Sequence, residues 1–339
     1  MRIILSLLFA SLVFSSISQK ELSLEEAVMG QYQQFYPEHV FGFNWVPNTD
    51  DYSYLENYTN LMYANAKKGG DKKILTIQEV NEKMSAEFRY FSGFEWKDET
   101  SFYLVAKNVV LLFDYKSKEG KKIKLPENAE NINISAASEH VAFTIENNIH
   151  FMTMDGDSKV ITDFEDKNIV SGQAIARSEF GITGGLFWSP DANQIAFYQK
   201  DETFVHDYPL LNINEYPGEL NSIKYPMAGQ KSERAKVGIY DLESEKTYYI
   251  EPRFGDENYL TNLSWTPDNK QLIIAEVNRD QNHMFLELYN NNGKFTKILH
   301  EEIGDTWVEP EHPAFFPTTE SDKFLWVSFC LLYTSYAAY

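Results

Sequence analysis

A short phrase recurs about six times along the chain: an apolar–aromatic–Ser/Thr–Pro corner, a polar stretch, then an alternating strand. Its two clearest copies are residues 186–190 (LFWSP) before 194–198 (QIAFY) and residues 263–267 (LSWTP) before 271–275 (QLIIA). Weaker copies lie at 43–47, 94–97 with 101–106, 132–136 with 140–144, and 313–317 with 323–327. Taking Trp45, Trp96, Ile134, Trp188, Trp265 and Phe315 as equivalent anchors, the intervals are 51, 38, 54, 77 and 50 residues. Irregular spacings of roughly 40–50 residues, each holding several short strands, are what propeller blades look like in a sequence. The fold class expected is therefore all-β, a β-propeller of four-stranded blades preceded by a short N-terminal helix. The 24 Phe and 21 Tyr favour strands over helices and point the same way.

At the start of the chain, Arg2 precedes an apolar stretch over residues 3–14, then Ser15, Ser16, Ile17 and Ser18. That order predicts a secretory signal peptide over 1–18, cut near Gln19. The run is too short for a comfortable membrane span, so the processed chain is expected to be exported, periplasmic or extracellular, with no span. Acidic residues outnumber Lys and Arg by 50 to 30, a formal net charge of −20. Such a surface repels nucleic acid and anionic membranes but suits a ligand with a cationic amino terminus. Cys330 is the only cysteine, so packing rather than disulfides must supply stability. The seven histidines are scattered without metal-ligand spacing, and no metal is expected.

Ser23 with Glu26 three residues later forms a capping box, which starts a short helix within the segment 19–40. From Phe41 onward strand and turn follow, and 41–329 reads as the propeller. Two stretches break its rhythm. Residues 169–185 (IVSGQAIARSEFGITGG) directly precede the strongest repeat, and residues 201–229 make a 29-residue excursion between strands. Loops of this length in a compact repeat are usually functional or docking elements. Asp201 and Glu202 read as capping or pairing groups ahead of cavity carboxylates, and Tyr208, Tyr225 and Met227 as satellite core ahead of a proline-accepting or interface surface. Arg279 reads as half of a structural ion pair, and Trp45, Trp96, Trp188 and Trp265 as blade core. Residues 324–339 carry no charge, and 330–339 read as a truncated or non-homologous tail, leaving the ring incomplete.

A search for catalytic motifs finds no G-x-S-x-G elbow, Walker loop, H-E-x-x-H or G-x-G-x-x-G. On residues alone the chain is a binding or gating module. A non-catalytic propeller for protein or glycan binding stands as the alternative to a domain of an enzyme.

The segments VSGQ (170–173), EFGI (179–182), LFWSP (186–190), DE (201–202) and KYPMAG (224–229) occur in that order. VGIYD (237–241), YLTNLSW (259–265), EVNRDQ (276–281) and WVEP (307–310) come after them. Through them, over about residues 23–328, the chain resembles the N-terminal propeller of the dipeptidyl peptidase IV family, most closely its bacterial prolyl tripeptidyl aminopeptidase branch. The resemblance implies an eight-bladed ring, about six blades of it here, capping an α/β-hydrolase domain that bears the catalytic serine, histidine and aspartate. The parent would be an exported serine exopeptidase releasing di- or tripeptides after proline, with this chain gating access. Its partners would be peptides with proline near the N-terminus and the hydrolase domain of the same protein, with a homodimer left open. No cofactor and no catalytic residue are implied in this chain.

The resemblance also assigns Glu179 to the substrate α-amino group, with Arg177 and Ser178 as lesser candidates beside it. A carboxylate in a shielded cavity makes a charge-assisted hydrogen bond to an ammonium worth about 1.5–3 kcal/mol. That is a roughly ten- to hundredfold preference for a free terminus. Dipeptidyl relatives carry two consecutive glutamates here, whereas Arg177-Ser178-Glu179 supplies one, closer to the tripeptidyl branch. Arg177 is also placed to pair with Glu179 and weaken the site.

Overall fold

The computed structural model describes residues 21–36, 39–317, 320–328 and 335–338. The expected leader over 1–18 and most of the tail over 330–339 lie outside the described residues. Ser23 Oγ accepts the Glu26 N–H while the Glu26 carboxylate accepts the Ser23 N–H, and α1 (Leu24–Met29) starts at that capping box.

Sheet after sheet follows, each antiparallel. The first is β1 (Phe41–Trp45), β2 (Asp51–Glu56), β3 (Asn60–Asn65) and β4 (Gly69–Thr76). One helix, α2 (Ile77–Met84), then interrupts the expected strand-and-turn pattern. It has its own reciprocal cap, with Thr76 Oγ1 accepting the Glu79 N–H and the Glu79 carboxylate accepting the Thr76 N–H, and it buries Ile77 and Val80. The second sheet is β5 (Glu95–Trp96), β6 (Ser101–Ala106), β7 (Val109–Asp114) and β8 (Glu119–Lys124). The third is β9 (Ala129–Ser135), β10 (His140–Ile145), β11 (Asn148–Thr153) and β12 (Ser158–Val160). The fourth has five strands: β13 (Ile169–Ser171), β14 (Leu186–Trp188), β15 (Gln194–Asp201), β18 (Arg234–Asp241) and β19 (Lys246–Tyr249). The long excursion supplies a separate hairpin, β16 (Asp207–Asn212) with β17 (Glu219–Lys224). The fifth sheet is β20 (Asn258–Trp265), β21 (Gln271–Asn278), β22 (His283–Asn290) and β23 (Phe295–Ile303). A sixth begins with β24 (Lys323–Trp326), bridged by Phe315 to Leu325 and paired to β25 (Ser335–Ala338).

Period-two alternation sends successive residues of a middle strand into different inter-sheet cores. On β6, Phe102 and Leu104 pack toward the first sheet while Tyr103 packs toward the third. On β10, Val141 and Phe143 pack one way and Ala142 the other. On β15, Ile195 and Phe197 face the third sheet while Ala196 and Tyr198 face the fifth. Such strands are buried on both faces, and their apolar runs are nearly continuous. The first strands β9, β14 and β20 approach one another, which places them on the inner side of the ring. The last strands β4, β8 and β23 are mostly exposed, and lysines 72, 73, 121, 122 and 124 stud the first two. Lysine on a free edge discourages pairing with another chain.

The repeated tryptophan has a common task. Trp96 Nε1–H donates to Ser53 Oγ (2.8 Å), Trp188 Nε1–H to the Asn133 carbonyl (3.3 Å), and Trp265 Nε1–H to the Phe187 carbonyl (2.9 Å). Each indole thus ties its sheet to the one before. The following Ser/Thr closes the corner: Gln194 N–H donates to Ser189 Oγ and Gln271 N–H to Thr266 Oγ1. Trp45 departs from the expectation. It is 58% exposed, because no described sheet packs against that side of the first one to be covered by it.

Candidate functional site

The inner strand of the fourth sheet is split in two. β13 pairs one end of β15 (Ile169↔Asp201, Ser171↔Gln199) and β14 the other (Leu186↔Phe197, Trp188↔Ile195). The chain between leaves the sheet and returns at a single residue. Gly172 N–H donates to the Tyr198 carbonyl (2.8 Å), and Tyr198 N–H donates to the Gly185 carbonyl (3.0 Å). This neck requires glycine at Gly185, where a Cβ would lie 2.3 Å from the Gln173 carbonyl oxygen.

Within the loop, the turn Ala176–Gly181 has unusual backbone. Ala176, Arg177 and Ser178 are left-handed (φ 50°, 54° and 64°), Glu179 is extended, and Phe180 is left-handed again (φ 57°). Each such non-glycine residue costs on the order of 1 kcal/mol, so neighbouring contacts must hold the turn. Ala176 N–H donates to Glu233 Oε1 (2.8 Å). Glu233 in turn lies 3.7 Å from Lys200 Nζ, which also pairs with Glu202 at 2.7 Å, all three side chains being largely buried. The buried Phe180 ring packs on Tyr259 at 5.0 Å. Gly181 (φ +68°) lies flat against the Glu311 carbonyl, with room for no side chain.

The turn opens on a cavity of about 170 Å³ lined by Arg177, Glu179, Tyr225, Glu233, Tyr259 and Arg279, with Glu257 and Asn258. Three carboxylates and two guanidinium groups therefore share one small space. Among the described residues, the carboxylates of Glu179 and Glu257 have no hydrogen-bond or ion-pair partner, while Glu233 is held by Ala176 and Lys200. Neither arginine pairs with a glutamate. Arg177 donates to the Lys224 carbonyl and lies over the Tyr225 ring at 4.8 Å. Arg279 donates to the Tyr259 hydroxyl and lies 5.6 Å from that ring's centre. The Glu179 and Glu257 carboxylates at the mouth of this open cavity are therefore unneutralised and can accept from a cationic group.

Of the three residues singled out in the sequence, all exposed, Glu179 and Arg177 line this cavity together and Ser178 does not. The expected ion pair of Arg279 is replaced by its contact with Tyr259, because no carboxylate reaches it. Tyr208, Tyr225 and Met227 are not satellite core: they are 38%, 44% and 45% exposed, since the β16–β17 hairpin stands off the sheets. Asp201 does cap, accepting the Thr203 N–H at 2.9 Å. Glu233, Glu257 and Tyr259 escaped sequence reasoning. They lie 54 to 80 residues from Glu179; Tyr259 opens the quoted YLTNLSW segment, which gave it no role in the site, and Glu233 and Glu257 lie outside every quoted segment. Among the described residues no group of three or more His, Cys, Asp or Glu is placed to hold a metal ion.

The split inner strand defines a propeller with one inserted loop, and comparison with known proteins shows that it is a peptidase-associated domain. Residues 93–330 match the family described as the dipeptidyl peptidase IV (DPP IV) N-terminal region, and the chain belongs to that family. A crystal structure from Bacteroides ovatus, provisionally assigned as a dipeptidyl aminopeptidase IV, is 32% identical with a TM-score of 0.77; the match covers 94% of this chain and 45% of that one. Dipeptidyl peptidase 4 of Porphyromonas gingivalis, at 19% identity, shares the fold: TM-score 0.74, 95% of this chain and 48% of that one. An inferred dipeptidyl-aminopeptidase B of Phaeosphaeria nodorum is 25% identical over 237 residues, covering 62% of this chain and 26% of the relative. The chain thus spans about a quarter of the curated relatives it matches and under half of these solved chains. No helix among the described residues is long and apolar enough to cross a membrane.

Proposed function

We propose that this chain is the N-terminal propeller of an exported serine exopeptidase that removes di- or tripeptides after proline, and that Glu179 binds the substrate's α-ammonium group. The division proposed is a leader over 1–18, a helical segment over 19–40 and the propeller over 41–329. A hydrolase domain of the same protein would carry the chemistry while the ring gates peptide entry. One observation carries the reading. The exposed Glu179 carboxylate is left without a protein partner on a strained turn, at the edge of a cavity beside the ring's split inner strand. Strain of this sort persists where function uses it. The names of the relatives supply the reaction class, and a lone glutamate after Arg177 and Ser178 supports the tripeptidyl variant.

The test uses the full-length protein and tripeptides with proline at the cleavage position, with free or acetylated amino termini. Glu179→Gln should raise KM for the free-amine peptide about fivefold, the most an exposed charge pair supplies, and leave the acetylated one unmoved. Equal kinetics for both variants on both substrates removes the role and leaves a propeller that binds by other means.

A further inference from the structure

Glu179 has a cation two residues away that could neutralise it, and the fold keeps the two apart. Arg177 and Glu179 line the same 170 Å³ cavity with no ion pair between them. The Arg177 guanidinium is instead taken up by the root of the β16–β17 hairpin. It donates to the carbonyl of Lys224, the last residue of β17, and stacks over the next residue, Tyr225, at 4.8 Å. The Tyr225 ring is itself braced by Tyr208 across the hairpin, centroids 5.7 Å apart. Lys224 is fixed in turn, with Nζ 3.1 Å from Asp207 and donating to the Val205 carbonyl. The cavity's other arginine is held the same way, on Tyr259. A guanidinium loses little by exchanging a carboxylate for a carbonyl and a π face, both of which it binds well.

We infer that Tyr225 is a positioning residue: with the Lys224 carbonyl, it holds Arg177 off Glu179 and so keeps the carboxylate available to a substrate ammonium. This rests on the proposed role of Glu179 as the ammonium anchor. Its consequence is that the hairpin, whose outer apolar residues are exposed, governs the affinity of a site at its root. When the root contact is lost, Arg177 is free to swing to Glu179 and compete with the peptide's amino terminus. An exposed ion pair shifts an equilibrium by at most about fivefold, which sets the size of the effect.

In the full-length protein, Tyr225→Ala should raise KM for free-amine peptides about three- to fivefold with kcat unchanged. Tyr225→Phe, which keeps the ring face, should restore the wild-type KM. Adding Arg177→Ala to Tyr225→Ala should bring KM back to no higher than wild type, because the competing charge is gone. A KM rise shared by acetylated peptides, or a double variant as impaired as Tyr225→Ala alone, overturns the inference by showing a merely structural role. So does a Tyr225→Ala protein with wild-type KM while Glu179→Gln is impaired; that result spares the ammonium anchor. If Glu179→Gln itself has no effect, the anchor fails and this inference fails with it.

Discussion

The fifth sheet contains a buried ionic cluster whose disruption should be costly. Glu276 and Glu287 are both fully buried. Glu276 accepts hydrogen bonds from the backbone of Arg253 (2.8 Å) and Phe254 (2.7 Å) and from Asn258 Nδ2 (2.6 Å). Burial nonetheless pushes its pKa up, and the Glu287 charge adds to the rise. Glu287 receives Arg253 Nε at 2.7 Å and the Tyr289 hydroxyl at 2.6 Å. The Arg253 guanidinium lies between Phe285 (5.2 Å) and Phe295 (5.0 Å). Replacing Arg253 with Met keeps the apolar stem and removes the only cation bonded to Glu287 among the described residues. The bare Coulomb attraction at 2.7 Å is about 6 kcal/mol for an effective dielectric constant near 20. Much of it is offset by desolvation, and stranding one partner of a buried pair costs about 3–5 kcal/mol. Because the Arg253 side chain is 38% exposed, the low end applies, about 3 kcal/mol or a hundredfold in the folding equilibrium. Urea unfolding followed by tryptophan fluorescence measures it. Replacing both residues, Arg253→Met with Glu287→Leu, should recover most of the loss, since a buried pair contributes little net stability over apolar isosteres. A single variant that loses less than about 1 kcal/mol, or a double variant worse than the single, refutes the reasoning.

Two further predictions concern the frame of the site and the second sheet. Gly181→Ala should cost about 2 kcal/mol or more, from the left-handed backbone and a Cβ built 2.0 Å from the Glu311 carbonyl oxygen; a loss below about 0.5 kcal/mol in the same urea assay would show that the two segments separate easily. Glu139 pairs with Lys121 (2.7 Å) and Lys97 (2.8 Å), which hold its pKa below the usual carboxylate range. A depressed folded-state pKa means stability that is present above the unfolded value and lost as pH falls through the folded one. Glu139→Gln should therefore cost about 1 kcal/mol at pH ~7 and almost nothing at pH ~3, and an equal cost at both pH values would contradict the ion-pair account.

The ring was legible in the sequence because its rule is local. Its clearest anchors, Trp188 and Trp265, need only an indole next to a Ser/Thr–Pro corner, and the weaker ones, aliphatic Ile134 among them, also fall on or beside the first strand of a sheet. The helix α2 was missed although Thr76 and Glu79 carry the same capping box as Ser23 and Glu26; the surrounding strand pattern outweighed two residues. Trp45 misled because its repeat position is right while its sheet lacks a described neighbour on that side. In the cavity, Glu179 and Arg177 could be found from one contiguous motif. Glu233, Glu257 and Tyr259 could not, since only the stacking of the fourth sheet on the fifth brings them there. The exposed hairpin was misjudged for a related reason: its apolar residues have core composition, and nothing local says that they face water.

The neck at Tyr198 has a consequence for how such molecules change. Since the loop from Gly172 to Gly185 departs and rejoins at one residue of β15, its ladder partners are the same whatever lies between. The insert is tied down by its buried Ile175, Phe180 and Ile182 and by Gly181 against Glu311, while Arg177, Ser178 and Glu179 between them are exposed and can be rewritten without re-registering a single pair of the sheet. A scaffold built in this way can trade one specificity for another while its architecture stays put.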